Sequence, residues 1–103
     1  MKIKWNASAR ADMRQVARYV NRMFGRKARQ EFMKRVQDSE QLILHQPNIG
    51  QIDPLYADRT LTYRSIVING LNKMVYRIEG DIIYIVDFWD TRREPTNQAA
   101  QTE

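Results

Sequence analysis

Five basic residues in the second half of the chain have a spacing that would let them act together: Arg64, Lys73, Arg77, Arg92 and Arg93. Between the first two lies Asn69-Gly70, a dipeptide typical of a two-residue β-hairpin turn. Such a turn places Arg64 opposite Val75, with Lys73 and Arg77 on the two diagonals. We therefore predict that three cations converge on one sheet face, where they can bind phosphates or stabilise a developing negative charge.

Two aromatic residues are expected beside these cations. If Gly80-Asp81 also forms a two-residue turn, Tyr84 and Phe88 lie on the basic face and Trp89 joins the core. A three-residue turn reverses this assignment. Cations and aromatic rings on an exposed sheet suit a nucleic-acid backbone and its bases, but a solvated outer face with cross-strand pairs explains the pattern equally well.

The first half of the chain predicts a strand and two helices. Lys2–Trp5 alternates as a strand does, and Ser8 is a suitable N-cap for an amphipathic helix over residues 8–24. A second amphipathic helix, over residues 26–45, follows Gly25. Two such helices joined at one glycine must form a hairpin to bury their apolar stripes. Four arginines recur on the opposite side of the first helix: Arg10, Arg14, Arg18 and Arg22.

Beyond a loop over residues 47–58, the hydrophobic period changes to two. This change predicts strands over residues 61–68, 71–79 and 82–89. With the turn at Asn69-Gly70, the apolar face of the first hairpin meets the helices. Its members are Leu61, Tyr63, Val67, Met74, Tyr76 and Ile78.

Composition restricts the classes of function. The 103 residues include no cysteine and one histidine, which excludes disulfides, thiolate metal clusters and multi-histidine zinc sites, so we expect no metal and no cofactor. No apolar run approaches the roughly 20 residues of a membrane helix, and we expect a cytoplasmic protein. The net charge is +7 over residues 1–51 and −2 over residues 52–103. This uneven distribution of charge along the chain favours binding to an acidic partner or to nucleic acid, although a solubilising surface explains it as well.

Several short motifs occur in this order: Trp5 with Ala11-Asp12-Met13, Pro47-Asn48-Ile49-Gly50, Tyr63-Arg64, Lys73–Ile78, and Trp89 to Arg93. Together with the element order, they resemble the RelE/ParE superfamily of toxins from bacterial type II toxin–antitoxin modules. The resemblance covers about residues 1–95, which we expect to form a single domain, and residues 96–103 are a polar segment expected to be flexible. It implies an α+β fold of order β-α-α-β-β-β, with the helical hairpin on one face of a small, mostly antiparallel sheet.

The resemblance also implies a function. Such a protein, of the plasmid stabilisation type, arrests growth unless its cognate antitoxin binds it. ParE-like members poison DNA gyrase, and we favour this activity because Asp90 stands where nuclease members often have histidine. RelE-like members are the alternative, since they cleave ribosome-bound mRNA without a metal. A non-toxic nucleic-acid-binding or interaction module on the same fold is a third hypothesis.

The resemblance and the predicted basic face together suggest candidate residues for three roles. On the nuclease hypothesis, the catalytic positions are Arg64, Lys73 and Arg92. For either target, the binding positions are Arg77, Arg93, Tyr84 and Phe88. For the antitoxin, the expected contacts are Arg14, Arg18 and Arg22, because antitoxin tails tend to be acidic and this half of the chain is basic.

Overall fold

Two helices pack on one face of a five-stranded sheet in the computed structural model, which describes residues 1–90. The elements are β1 (Lys2–Trp5), α1 (Ala7–Phe24), α2 (Arg26–His45), β2 (Gln51–Ile52), β3 (Arg64–Val67), β4 (Asn72–Glu79) and β5 (Ile82–Asp90). A single 3-10 turn, Pro54–Tyr56, lies between β2 and β3. The predicted α+β fold is confirmed, and the short edge strand β2 is an addition to it. Arg92 and Arg93 lie outside the described residues, as does the expected flexible segment over residues 96–103.

The sheet has the strand order β1-β5-β4-β3-β2. β1 is parallel to β5, and the other neighbouring pairs are antiparallel. The first and last strands of the domain are therefore neighbours, and β1 is an edge strand. Within residues 1–90, neither helix has the length together with the apolar composition that crossing a bilayer requires.

The helices begin and end as their local sequence requires, with one difference at the start. Asn6, not Ser8, is the N-cap of α1, because its side-chain oxygen accepts a hydrogen bond of 2.8 Å from the amide of Ala9. Ser8 instead lies in the first turn and donates to the Asn6 side chain. Gly25 connects α1 to α2 with a φ of 97°, which explains why a glycine stands there.

The core lies between the helical hairpin and the facing side of the sheet, which we call the helix-side face. Its buried members include Ala9, Met13, Ala17, Phe32, Val36, Ile43, Met74, Tyr76, Ile83, Ile85 and Phe88. Met23 and Phe24, predicted as part of the buried stripe of α1, are 55% and 68% exposed. They occupy the last turn before Gly25, beyond the turns that carry the buried residues of α1.

The first hairpin differs from the prediction by one residue. The amide of Ile68 bonds to the carbonyl of Asn72, so the connection has three residues, Asn69-Gly70-Leu71. The side chain of Asn69 favours this longer turn, because its oxygen accepts hydrogen bonds from the amides of Leu71 and Asn72. Arg64 consequently pairs with Tyr76 instead of lying opposite Val75.

A slip of one residue moves every side chain of β3 to the other face. Ile66 and Ile68 therefore face the helices. Leu61 and Val67, which were predicted to lie in the core, are 48% and 57% exposed.

The second hairpin has the predicted two-residue turn but contains a bulge. Glu79 pairs with Ile82 across Gly80-Asp81, and the pairing then shifts so that Val86 has no partner on β4. The extra residue reverses the alternation beyond it. Phe88 therefore faces the core and is 5% exposed, whereas Trp89 lies on the opposite face. The predictions for these two residues were wrong for this reason.

Candidate functional site

The predicted convergence of three cations on one face does not occur. Arg64 pairs with Tyr76 and lies on the helix-side face, whereas Lys73 and Arg77 lie on the opposite side of the sheet, which we call the outer face. The Nη1 atom of Arg64 donates hydrogen bonds of 2.9 and 3.3 Å to the carbonyls of Gly50 and Asn48. Arg64 thus fastens the loop that follows α2.

Lys73 lies on the outer face but is inaccessible from it. Its side chain is 7% exposed, and its Nζ atom lies 2.5 Å from Oδ2 of Asp53, whose side chain is fully buried. Asp53 begins the segment that leads to β3, and it also caps the 3-10 turn by accepting from the amide of Leu55. This segment covers Lys73, and the cation is already matched by a carboxylate.

An aromatic cluster fixes the same segment to the outer face. The hydroxyl of Tyr56 donates to Asp87 of β5 and accepts a hydrogen bond of 3.2 Å from Nε1 of Trp89. Tyr63 stacks on Tyr56 with ring centroids 4.9 Å apart. Burial, together with the bond to Asp87, raises the pKa of Tyr56 well above its ordinary value. Tyr56 is therefore a hydrogen-bond donor at neutral pH and is unsuited to act as a general base.

Arg77 and Tyr84 are the predicted pair that the structure does bring together. They are cross-strand partners, and the Arg77 guanidinium lies 4.7 Å from the centre of the Tyr84 ring. Arg77 also forms an ion pair with the exposed Glu79. A stacked guanidinium of this kind presents a flat, cationic surface to solvent.

The prediction missed two further cations beside this pair. Lys4 pairs with Tyr84 across the parallel β1–β5 ladder, and Lys2 lies two residues before it on the same face. Both are exposed, whereas the intervening Ile3 packs against the core. Their alternation with apolar residues indicates that both lysines share one face of the strand. Only the register with β5 shows that this face also carries Tyr84 and Arg77. We call Lys2, Lys4, Tyr84 and Arg77 the outer basic strip.

The opposite side of the molecule has a groove of about 850 Å³ between the helices and the end of the sheet. Its apolar lining includes Tyr19, Phe24, Phe32, Leu71 and Phe88, and its charged lining includes Asp12, Glu31, Asp90 and Arg35. Phe88 contacts Phe32 edge to face, with centroids 6.1 Å apart. This volume is within the range of roughly 300–1,000 Å³ that is typical of binding pockets.

The three arginines predicted to contact an antitoxin are all exposed on α1, in the helical layer that contains the groove. Arg22 stacks near Tyr19, with its guanidinium carbon 5.7 Å from the ring centre. Arg14 and Arg18 form no ion pair within residues 1–90. In the same part of the chain, no group of histidine and carboxylate side chains is arranged to hold a metal ion.

The sequence of the chain matches a known protein family over most of its length. The family model described as the ParE toxin of the type II toxin–antitoxin system parDE matches residues 3–95. This chain belongs to the ParE toxin family. Membership makes it a type II toxin and implies a cognate antitoxin as its partner.

Solved structures share the fold of this ParE-family chain. The chromosomal ParDE system from P. aeruginosa superposes with a TM-score of 0.70 at 16% identity, covering 87% of this chain and 95% of that one. A YoeB/ParE toxin from Agrobacterium tumefaciens gives 0.61 at 20% identity, with 87% and 98% covered. The YoeB dimer from Staphylococcus aureus gives 0.59 at 20% identity, with 84% and 92% covered. No curated protein sequence matches the chain.

Proposed function

We propose that this ParE-family toxin arrests growth in the bacterial cytoplasm by poisoning DNA gyrase. The observation that carries the choice of target is the ion pair between Lys73 and Asp53, which removes from the surface one of the cations predicted for a nuclease site. Arg64, the second, lies on the other face of the sheet. RNA cleavage through the 2′-hydroxyl needs a base, a proton donor and clustered cations, and this arrangement does not favour it.

One observation keeps mRNA cleavage as the second candidate. Arg64 and Arg77 both line a small groove of about 380 Å³ at the end of β4, together with Thr62 and Tyr76. Two cations beside a cavity of this size can hold a phosphate. Burial raises the pKa of the Tyr76 hydroxyl, which already bonds to Pro47 and Gly50, so the tyrosine is a poor base.

Induced expression in bacteria tests the proposed function. We expect growth arrest that co-expression of the neighbouring antitoxin gene relieves, with gyrase-linked DNA breaks in the arrested cells. Discrete mRNA cut sites on translating ribosomes, without such breaks, would favour the second candidate. Normal growth without the antitoxin gene would contradict both and leave the non-toxic binding module.

We also propose that the antitoxin binds the helical side. The groove offers exposed apolar side chains for a helix, and Arg14 and Arg18, which are exposed on α1 outside the groove lining, attract an acidic segment. The double variant Arg14→Gln/Arg18→Gln should bind the antitoxin more slowly and lose much of the dependence of the association rate on salt. A matched control, Lys2→Gln/Lys4→Gln, removes two charges from the outer face and should associate as the wild type does. Equal rates for both double variants would exclude the arginines from the interface.

A further inference from the structure

We propose that the outer basic strip binds the sugar–phosphate backbone of the DNA that gyrase holds. This inference rests on the proposed function and extends it, because it assigns the toxin a contact with the nucleic acid as well as with the enzyme. The helices cover only the other face of the sheet, so Lys2, Lys4 and Tyr84 are open to a large, flat partner.

The strip crosses three neighbouring strands. Lys4 on β1 pairs with Tyr84 on β5, which in turn pairs with Arg77 on β4. Adjacent strands lie about 4.8 Å apart, so the outer two residues are separated by roughly 10 Å. Long side chains at this spacing can reach successive phosphates of one strand, while the Tyr84 ring lies between Lys4 and Arg77.

Charge at the strip is only partly compensated. Two carboxylates face it: Glu79 pairs with Arg77, and Asp81 lies 3.6 Å from the terminal amino group of Met1. Lys2 and Lys4 form no ion pair within the described part of the chain. These two free cations attract a polyanion and release its counterions on binding.

The chemistry of the strip favours nucleic acid over an acidic protein segment. A folding peptide needs an apolar groove for its anchors, and the groove of this molecule that has them, lined by Tyr19, Phe24 and Leu71, lies on the helical side. The strip offers cations and one aromatic ring on a flat sheet, which is how proteins contact a nucleic-acid backbone and its exposed groups. Antitoxin and DNA would therefore occupy opposite sides of the molecule.

Fluorescence anisotropy with a labelled DNA duplex of about two helical turns tests this inference directly. Lys2→Gln/Lys4→Gln should raise the dissociation constant about tenfold or more and lower the slope of log K against log salt by about 1.8, because two phosphate contacts are lost. The control Lys27→Gln/Arg29→Gln removes two exposed charges from α2 and should change the dissociation constant less than about twofold by the same reasoning. Antitoxin binding at the wild-type rate verifies that the strip variant is folded.

Each other outcome counts against the inference. Equal weakening of DNA binding in both double variants would mean that binding depends only on the net charge of the protein. Tighter binding of an RNA of equal length than of the duplex would assign the strip to RNA, and binding of polyglutamate but not of DNA would assign it to an acidic protein. If wild-type protein produces no gyrase-linked breaks, the proposed function fails. If the wild type produces breaks, and the strip variant produces them too and binds DNA with unchanged affinity, only this inference fails.

Discussion

The ion pair between Lys73 and Asp53 shows how burial changes the role of a residue. A lysine on an exposed strand would be a candidate for phosphate binding, but here its ammonium group and its carboxylate partner are enclosed together. Removing two charges from water is costly, and the cost is offset only while both partners are present. Lys73 therefore stabilises the fold and contributes nothing accessible to a target.

Replacing Lys73 alone should be severely destabilising. Lys73→Met leaves the carboxylate of Asp53 buried without a counter-charge, which costs roughly 3–5 kcal/mol of unfolding free energy. Urea denaturation followed by circular dichroism measures the loss. The double variant Lys73→Met/Asp53→Asn should recover most of it, because the amide still caps the 3-10 turn.

Arg77→Met is the matched control, since its pair with Glu79 is exposed on one side and should be worth less than about 1 kcal/mol. Equal losses in Lys73→Met and Arg77→Met would contradict the structural role of the buried pair.

Tyr56 gives the domain a dependence on alkaline pH. Its pKa is raised in the folded state, whereas the unfolded chain releases the proton near the ordinary pKa of 10.0. The stability that Tyr56 contributes is therefore complete below about pH 10 and is lost as the pH rises through the folded pKa.

The stability difference between wild type and Tyr56→Phe should thus shrink from pH 8 to pH 11. The change is at most about 1.4 kcal/mol per pH unit for one proton, and less because water reaches part of the ring. Urea unfolding of both proteins at the two pH values is the measurement. A constant difference would mean that the hydrogen bond to Asp87 does not hold the proton.

At the scale of the elements, the loop after α2 is held by contacts to two strands. The amide of Gly50 donates to the hydroxyl of Tyr76, and the carbonyl of Gly50 accepts from Arg64. There is no room for a side chain at this position, because a Cβ atom would lie 2.7 Å from the Tyr76 hydroxyl and 2.9 Å from the carbonyl of Ser65. Close approach of the backbone, and not an unusual φ, explains this glycine.

Gly50→Ala should accordingly lower the unfolding free energy by roughly 1–3 kcal/mol, since strand backbone or a buried tyrosine must move. The nearby Asn48→Ala is the control, because its side chain is exposed and the bond to Arg64 uses its main-chain carbonyl. It should stay within about 0.5 kcal/mol of the wild type. Thermal unfolding of both variants tests this claim. Equal losses of unfolding free energy in the two variants would contradict it.

The elements themselves were predictable from the sequence, whereas most of the arrangement of the candidate site residues, apart from the pairing of Arg77 with Tyr84, was not. Helical and strand periods are averages over many residues, so both helices and the last three strands emerged from them. The face on which a strand residue lies depends on single residues. The side chain of Asn69 lengthened one turn, and Val86 formed a bulge, and each reversed the faces beyond it. Lys73 could not be recognised as buried, because its partner lies 20 residues away in a loop without periodicity.

At the scale of the whole molecule, the two sides differ in chemistry. The helical side has a groove with apolar lining and exposed arginines on α1, and the outer face has cations and one stacked aromatic ring. This division separates the surface proposed for the antitoxin from the surface proposed for DNA. It also means that charge-changing variants on the two sides should separate antitoxin binding from action on the target.

The most direct measurement of the central claim uses purified toxin, DNA gyrase and supercoiled plasmid. The account predicts that linear plasmid covalently bound to gyrase accumulates as toxin is added, and that equimolar antitoxin prevents it. Intact plasmid at saturating toxin, together with cleavage of mRNA on translating ribosomes by the same preparation, would contradict the account.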